Sequence, residues 1–218
     1  MRHESKYRWV LLGAWADVEC AKQILDIGTG TGVIALMTAQ KNKDAIIDAV
    51  DIDEGAFLQA KVNFEQSNWS KRLNAFHSSL QNFAPDKKYD AIISNPPYFI
   101  DDHKTGNQQK DIAKHSTELD YSELLFGINH LLTETGKTFL IIPVFNLEYL
   151  KLLAEGQNLF VTGLTEVIAT DEKPPYVVLI RLERKVKEFL KNTIQIQNSS
   201  GNFTDEYKEL TKEFYLKF

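Results

Sequence analysis

Between a short apolar run and a helix-forming stretch stands Asp26-Ile27-Gly28-Thr29-Gly30-Thr31-Gly32, and no other segment constrains the chain as much. Three glycines at alternate positions let the backbone turn tightly and leave no Cβ in the way of a ligand. The run before them, Gln23–Gly28 (QILDIG), reads as a buried strand, and Val33–Gln40 reads as a helix rich in Ala, Leu and Met. One strand later Asp51 closes the run AVD, where a carboxylate can accept hydrogen bonds from two ribose hydroxyls. The spacing is GxGxG rather than the GxGxxG of dinucleotide enzymes, which argues away from NAD. A glycine turn needed only for packing, beside a solvated strand-end acid, is the plainer reading. It does not explain why loop and acid occur together in this strand order, so an adenosine-containing ligand is expected.

The rest of the chain keeps the same rhythm. Ala45–Asp53, Leu73–Ser79, Tyr89–Asn95 and Lys137–Val144 read as further strands. Phe57, Ala60 and Phe64 fall at helical spacing within 54–68, and Asp120–Leu132 is the clearest helix, with Asp120 and Glu123 placed as a capping box. Strands alternating with helices imply a parallel sheet covered on both faces. After a helix at Leu147–Glu155, the strands Leu159–Thr170 and Tyr176–Arg184 are joined by the short turn DEKPP and can pair only antiparallel. The tail beyond Arg184 is polar until Phe203 and reads as loop and extension.

Composition narrows the classes. The 218 residues carry 25 basic and 30 acidic side chains, a net charge of −5, which argues against a protein that coats nucleic acid over its whole surface. A local basic patch remains compatible with that balance, because screening confines its action to about 8–10 Å. One cysteine, Cys20, rules out an internal disulfide and a cysteine zinc site. The stretch Val10–Ala16 is too short to span a bilayer, and nothing in residues 1–9 reads as a secretory signal. A cytoplasmic protein with no membrane association is expected; the sequence leaves oligomeric state open.

Asn95-Pro96-Pro97-Tyr98 follows the fourth strand, at the carboxyl edge where open α/β sheets bind ligands. Two prolines fix φ and remove two backbone donors. The Asn95 side-chain oxygen and the Pro96 carbonyl then offer two acceptors at one point, suited to an –NH₂ group. Holding both hydrogens aims the nitrogen lone pair at an electrophile, and Tyr98 offers a flat face for a planar group. Prolines that merely end a strand are the competing explanation, and they do not require an Asn before them or an aromatic after them.

The glycine loop with its acid resembles that of Rossmann-like S-adenosylmethionine-dependent methyltransferases. Asn-Pro-Pro-Tyr resembles the signature of those that modify exocyclic base amines or the amide of glutamine. VLLGAWA (10–16), ISNPPYF (93–99), IAKHSTELDYSELL (112–125), EKPPYVVLIRLER and the terminal EYKELTKEFYLKF are similar to the tRNA1(Val) adenine-37 N6-methyltransferase family. The resemblance covers nearly the whole chain. It implies a seven-stranded mixed sheet of order 3-2-1-4-5-7-6 with the last strand antiparallel, in a single domain. Within that domain, residues 1–22 would be a shortened N-terminal segment, 23–184 the core and 185–218 an extension. It further implies that S-adenosylmethionine is held by Asp26, Gly28, Gly30, Gly32 and Asp51, with Ser79 near the adenine where many relatives carry an acid. Asn95, Pro96 and Tyr98 would clamp the target amine, with no metal involved and tRNA as partner. Pro97, Phe99, Lys110, Lys114 and His115 are the further substrate candidates. A base in an RNA loop would have to be splayed into such a pocket.

Two rivals follow from the same residues. A glutamine-amide methyltransferase would need a helical domain for which the residues before Gln23 leave no room. A cofactor-binding RNA module without turnover would not need the amine clamp. His3, His77, His103, His115 and His130 form no metal-ligand spacing. Two basic stretches, Lys104/Lys110/Lys114 and Arg181/Arg184/Lys185/Lys187/Lys191, are either solvated faces or phosphate contacts.

Overall fold

The computed structural model describes residues 7–96, 120–171 and 173–215. Eight strands form one sheet: β1 (Gln23–Ile27), β2 (Ile46–Asp51), β3 (Leu73–His77), β4 (Tyr89–Ser94), β5 (Leu132–Pro143), β6 (Phe160–Ile168), β7 (Val177–Glu183) and β8 (Leu190–Gln195). Their order is β3-β2-β1-β4-β5-β7-β6-β8. The helices are α1 (Arg8–Trp15), α2 (Val33–Lys41), α3 (Glu54–Glu65), α4 (Tyr121–Leu131), α5 (Leu147–Gly156) and α6 (Asp205–Thr211). Strands β1 to β5 are parallel, β7 runs against both β5 and β6, and β8 lies parallel to β6. The expected order of the first seven strands holds, and β7 is the antiparallel member.

The strand count differs from the expected seven. Leu190–Gln195 is LKNTIQ, an edge strand in which only Ile194 is buried, so it lacks the apolar run that marks a central strand. It adds to the sheet through backbone pairing with Gly163–Ile168. Val10–Ala16, to which no secondary structure was assigned above, is mostly helix α1, with Val10 to Ala14 buried. It is apolar all round because it lies between α2 and the sheet.

Two apolar cores flank the sheet. One face packs Ile24, Ile47, Ile93 and Ile141 against α1, α2, α3 and α6. The other packs Leu25, Ile92, Leu140 and Ile180 against α4 and α5. Three helices end on cations borne by neighbouring segments. Lys41 donates to the carbonyls of Ala14 and Ala16 at 2.6 Å, which caps α1. Arg72 donates to Ala39 and Asn42 at the end of α2, and Arg184 to Asn129 and Leu132 at the end of α4. Each cation meets orphan carbonyls at the negative end of the helix dipole. Asp120 caps α4 as its spacing predicts, accepting from the amides of Ser122 and Glu123. The return half of the capping box is absent, because Glu123 accepts instead from Gln81 at 3.0 Å.

Candidate active site

The carboxyl ends of β1, β2 and β4 converge because the register forces them to. Ile27 lies opposite both Val50 and Ser94, so the residues that follow each strand share one edge. Ser94 ties β4 to β1 directly, donating its hydroxyl to the Ile27 carbonyl at 2.9 Å. Gly28 and Asn95 therefore leave the sheet side by side, about 4.8 Å apart in the strand-to-strand direction.

The glycine loop takes the conformation its composition predicts. Gly28, Gly30 and Gly32 have φ of 66°, 58° and 84°, in the left-handed region that an L side chain resists. The reasons for glycine differ along the loop. A Cβ at Gly32 would lie 2.5 Å from the Phe64 ring, so that glycine admits α3. At Gly28 or Gly30 a Cβ meets no atom within 4 Å, so those two keep the backbone bare on its open side.

Asp51 is the clasp of this loop. One carboxylate oxygen accepts from the Gly30 amide at 2.7 Å and the other from the Asp53 amide at 2.9 Å. A carboxylate has roughly four acceptor positions, so two remain for a ligand. Asp26 plays a different part. It is buried, accepts from the Thr29 hydroxyl at 2.6 Å, and its other oxygen has no hydrogen-bond partner among the described residues. Burial, opposed by Thr29 and reinforced by the nearby charge of Asp51, pushes its carboxyl up to about 7.

A cleft of about 200 Å³ runs along this edge, lined by Gly28, Asp51, Ile52, Ser79, Leu80 and Pro96 among others. Thus three of the expected cofactor residues and one of the expected clamp residues line one space. Asn95 is half-buried beside it and Pro96 is buried. Ser79 uses its hydroxyl to cap the short turn Leu80–Asn82, accepting from the Asn82 amide at 3.3 Å, while the Ser78 amide is bound to the Asp51 carbonyl. Pro97, Tyr98, Phe99, Lys110, Lys114 and His115 lie outside the described residues.

Ile52 and Leu80 are cleft residues that the motif reading missed. Ile52 is 60% exposed directly after the strand-end acid, and its side chain lines the cleft. Its position next to Asp51 was the available signal. Leu80 carried none, because it lies in a short turn with no periodicity.

The second basic stretch lies elsewhere. Glu183 pairs with Lys137 at the amino end of the parallel strands, and Val177 with Pro143 at the carboxyl end, so Arg181–Lys187 sits away from the cleft. These cations are also occupied. Arg181 donates to Thr162 and pairs with Glu183, Lys187 pairs with Glu183, and Lys191 pairs with Glu166 at 2.9 Å. Burial would raise the Glu183 carboxyl, but Lys187, Thr162 and Arg181 outweigh it and hold it below the ordinary range. Of the two readings offered for this run, these pairs favour charges that close the fold, while Lys185 is exposed. Among the described residues no group of three or more His, Cys, Asp or Glu is placed to hold a metal ion. No helix among them is long and apolar enough to cross a membrane.

Residues 10–154 match the family model described as methyltransferase small domain. The chain is 40% identical over 213 residues to the tRNA1(Val) (adenine(37)-N6)-methyltransferase of Christiangramia forsetii, covering 95% of this chain and 89% of that one. It is 42% identical to the protein of that name from Dyadobacter fermentans, covering 95% and 88%. Among solved structures, an Agrobacterium tumefaciens protein described as a predicted O-methyltransferase superposes with a TM-score of 0.73 at 15% identity, covering 94% of this chain and 95% of that one. An O-methyltransferase of Brevibacillus brevis, solved with S-adenosyl-L-homocysteine, gives a TM-score of 0.56 at 15% identity, covering 84% and 73%. These two likenesses concern the fold.

Proposed function

Because the chain belongs to the methyltransferase small domain family, we propose that it transfers a methyl group from S-adenosylmethionine to the N6 amine of an adenine in tRNA, adenine 37 of tRNA1(Val). The observation that carries the reading is the shared cleft, which Gly28, Asp51, Ser79 and Pro96 line together. The residues present fit the cofactor. Gly28 and Gly30 leave bare backbone in a left-handed turn, and Asp51 keeps acceptor positions for a ribose while its other lone pairs clasp the loop.

When bound, S-adenosylmethionine supplies an electrophilic methyl group on its sulfonium. Gly28 and Gly30 would hold its amino-acid end by backbone approach, with Gly32 seating the loop on α3, Asp51 would take the ribose hydroxyls, and Ile52 with Leu80 would cover the adenine. Across the cleft, the Asn95 side-chain oxygen and the Pro96 carbonyl accept the two N6 hydrogens of the target adenine. That grip draws the nitrogen toward tetrahedral geometry and aims its lone pair, and Tyr98 stacks on the base. Transfer to a lone pair aimed in this way would need no general base from the chain before attack, since one N6 proton can leave afterwards. Catalysis is chiefly positioning, which can contribute on the order of 7–11 kcal/mol.

We read residues 1–218 as one methyltransferase domain, with 23–184 as its core. The hydrogen bonding of β8, from the 185–218 extension, to β6 supports that reading. The protein works in the cytoplasm, where its tRNA substrate is. The test is transfer from labelled S-adenosylmethionine to total tRNA lacking the modification, followed by nucleoside analysis. N6-methyladenosine at position 37 of a valine tRNA is expected. Label in another nucleoside, or in protein glutamine, overturns the assignment.

A further inference from the structure

The carboxyl edge carries a second feature that the cofactor cleft and amine clamp leave unused. Beyond Ser94, which pairs with Leu140, β5 continues to Pro143 and passes through a short turn, Val144–Asn146, into α5. Phe145 stands in that turn, on the strand next to the Asn95 corner, and is 68% exposed. Tyr149 and Leu152 follow at i+4 and i+7, and both are more than half exposed. The opposite side of α5 is the buried one, carrying Leu150 and Ala154. Phe145, Tyr149 and Leu152 thus form an outward stripe that starts at the edge and descends along the helix.

The turn that presents Phe145 is pinned on both sides. The Val144 amide donates to the Tyr176 carbonyl at 3.3 Å, and the Asn146 side chain donates to the Tyr121 hydroxyl at 3.0 Å. A large aromatic ring held out on a fixed backbone, after the strand that neighbours the Asn95 corner, has the properties of a stacking surface. Neighbouring nucleotides lose their stacking partner when a base leaves its loop, and an aromatic face restores it for about 1–3 kcal/mol per base. Three side chains are too few for a stable self-association, which needs about 800 Å² per partner.

We infer that Phe145, extended by Tyr149, is a platform on which a nucleotide flanking the target adenine stacks when the anticodon loop is opened. The inference rests on the tRNA reading above and adds a positioning surface to it.

The experiment compares Phe145→Ala, Phe145→Leu and Phe145→Trp with the wild type, using an unmodified tRNA1(Val) transcript. Fluorescence anisotropy reads tRNA affinity, initial rates give kcat and KM, and calorimetry reads S-adenosylhomocysteine binding. Phe145→Ala and Phe145→Leu weaken tRNA binding and raise its KM about tenfold, Phe145→Trp stays within twofold of wild type, and cofactor affinity is unchanged in all three. Leu performing as well as Trp would reduce the site to apolar packing and overturn the platform. Unchanged affinity in Phe145→Ala overturns it alone, leaving the methyltransferase reading intact. A wild type that binds no tRNA overturns both. Dimers in sedimentation that Phe145→Ala dissolves would assign the stripe to a second copy of the chain.

Discussion

The two edges of the sheet treat polarity in opposite ways. At the amino half, Arg181, Arg184, Lys187 and Lys191 each meet an acid, a hydroxyl or a helix-end carbonyl within the chain. At the carboxyl edge, acceptors and backbone stay available: Asp51 keeps lone pairs, and Gly28 and Gly30 face open space. Among the described residues, charge that looks functional in the sequence is largely paired within the fold, whereas the carboxyl edge keeps acceptors and bare backbone open. A cation marks a binding surface only when nothing inside the molecule has already claimed it.

The strongest way to break this comparison is Asn95→Ala. Removing one of the two acceptors for the target amine should lower turnover by orders of magnitude and leave S-adenosylhomocysteine affinity within about twofold by calorimetry. Equal losses of both would make Asn95 a structural residue of the loop.

Asp26 gives the next largest effect, on stability. Its folded carboxyl lies near 7, above the ordinary 3.8, so between these values the folded state binds more protons than the unfolded one. The contribution of this group is fully present below about pH 4 and is lost as pH rises through about 7, a cost on the order of 4 kcal/mol. Denaturant unfolding of the ligand-free protein across pH 4–8 should show wild type losing stability against Asp26→Asn by that order. Parallel curves would refute the buried-carboxyl argument.

Arg184→Ala tests the opposite edge. Removing the cap of α4 should cost roughly 2–3 kcal/mol in unfolding free energy while tRNA affinity and its salt slope stay unchanged at temperatures where the variant is folded. The smallest effects belong to Lys187→Ala and Lys191→Ala. Both lysines are half exposed, and Glu183 keeps Thr162 and Arg181 when Lys187 is lost, so each change should cost less than about 1 kcal/mol, again with no change in the salt slope of tRNA binding. A flattened slope in either variant would return the amino half to the substrate interface.

What could be read in advance follows from how each segment is buried. Strands β1, β2, β4 and β5 lie in the middle of the sheet, and their apolar runs announce them. The GxGxG loop and Asp51 were legible because left-handed backbone demands glycine and a clasping acid demands a fixed place. β8 was not, because an edge strand holds its place by backbone pairing and leaves its side chains polar. Ile52 looked like an ordinary strand residue, and its exposure is what marks it. The basic run after β7 was ambiguous, since spacing shows that charges are near one another but not that Thr162, Glu183 and Glu166 pair with several of them.

The most direct measurement is amide hydrogen exchange of the protein with S-adenosylhomocysteine, in the presence and absence of unmodified tRNA1(Val). The account predicts slower exchange in the tRNA complex around Asn95, at Val144–Tyr149 and along the neighbouring carboxyl edge, with 181–191 unchanged. Protection confined to 181–191, with the Asn95 edge unaltered, would contradict it.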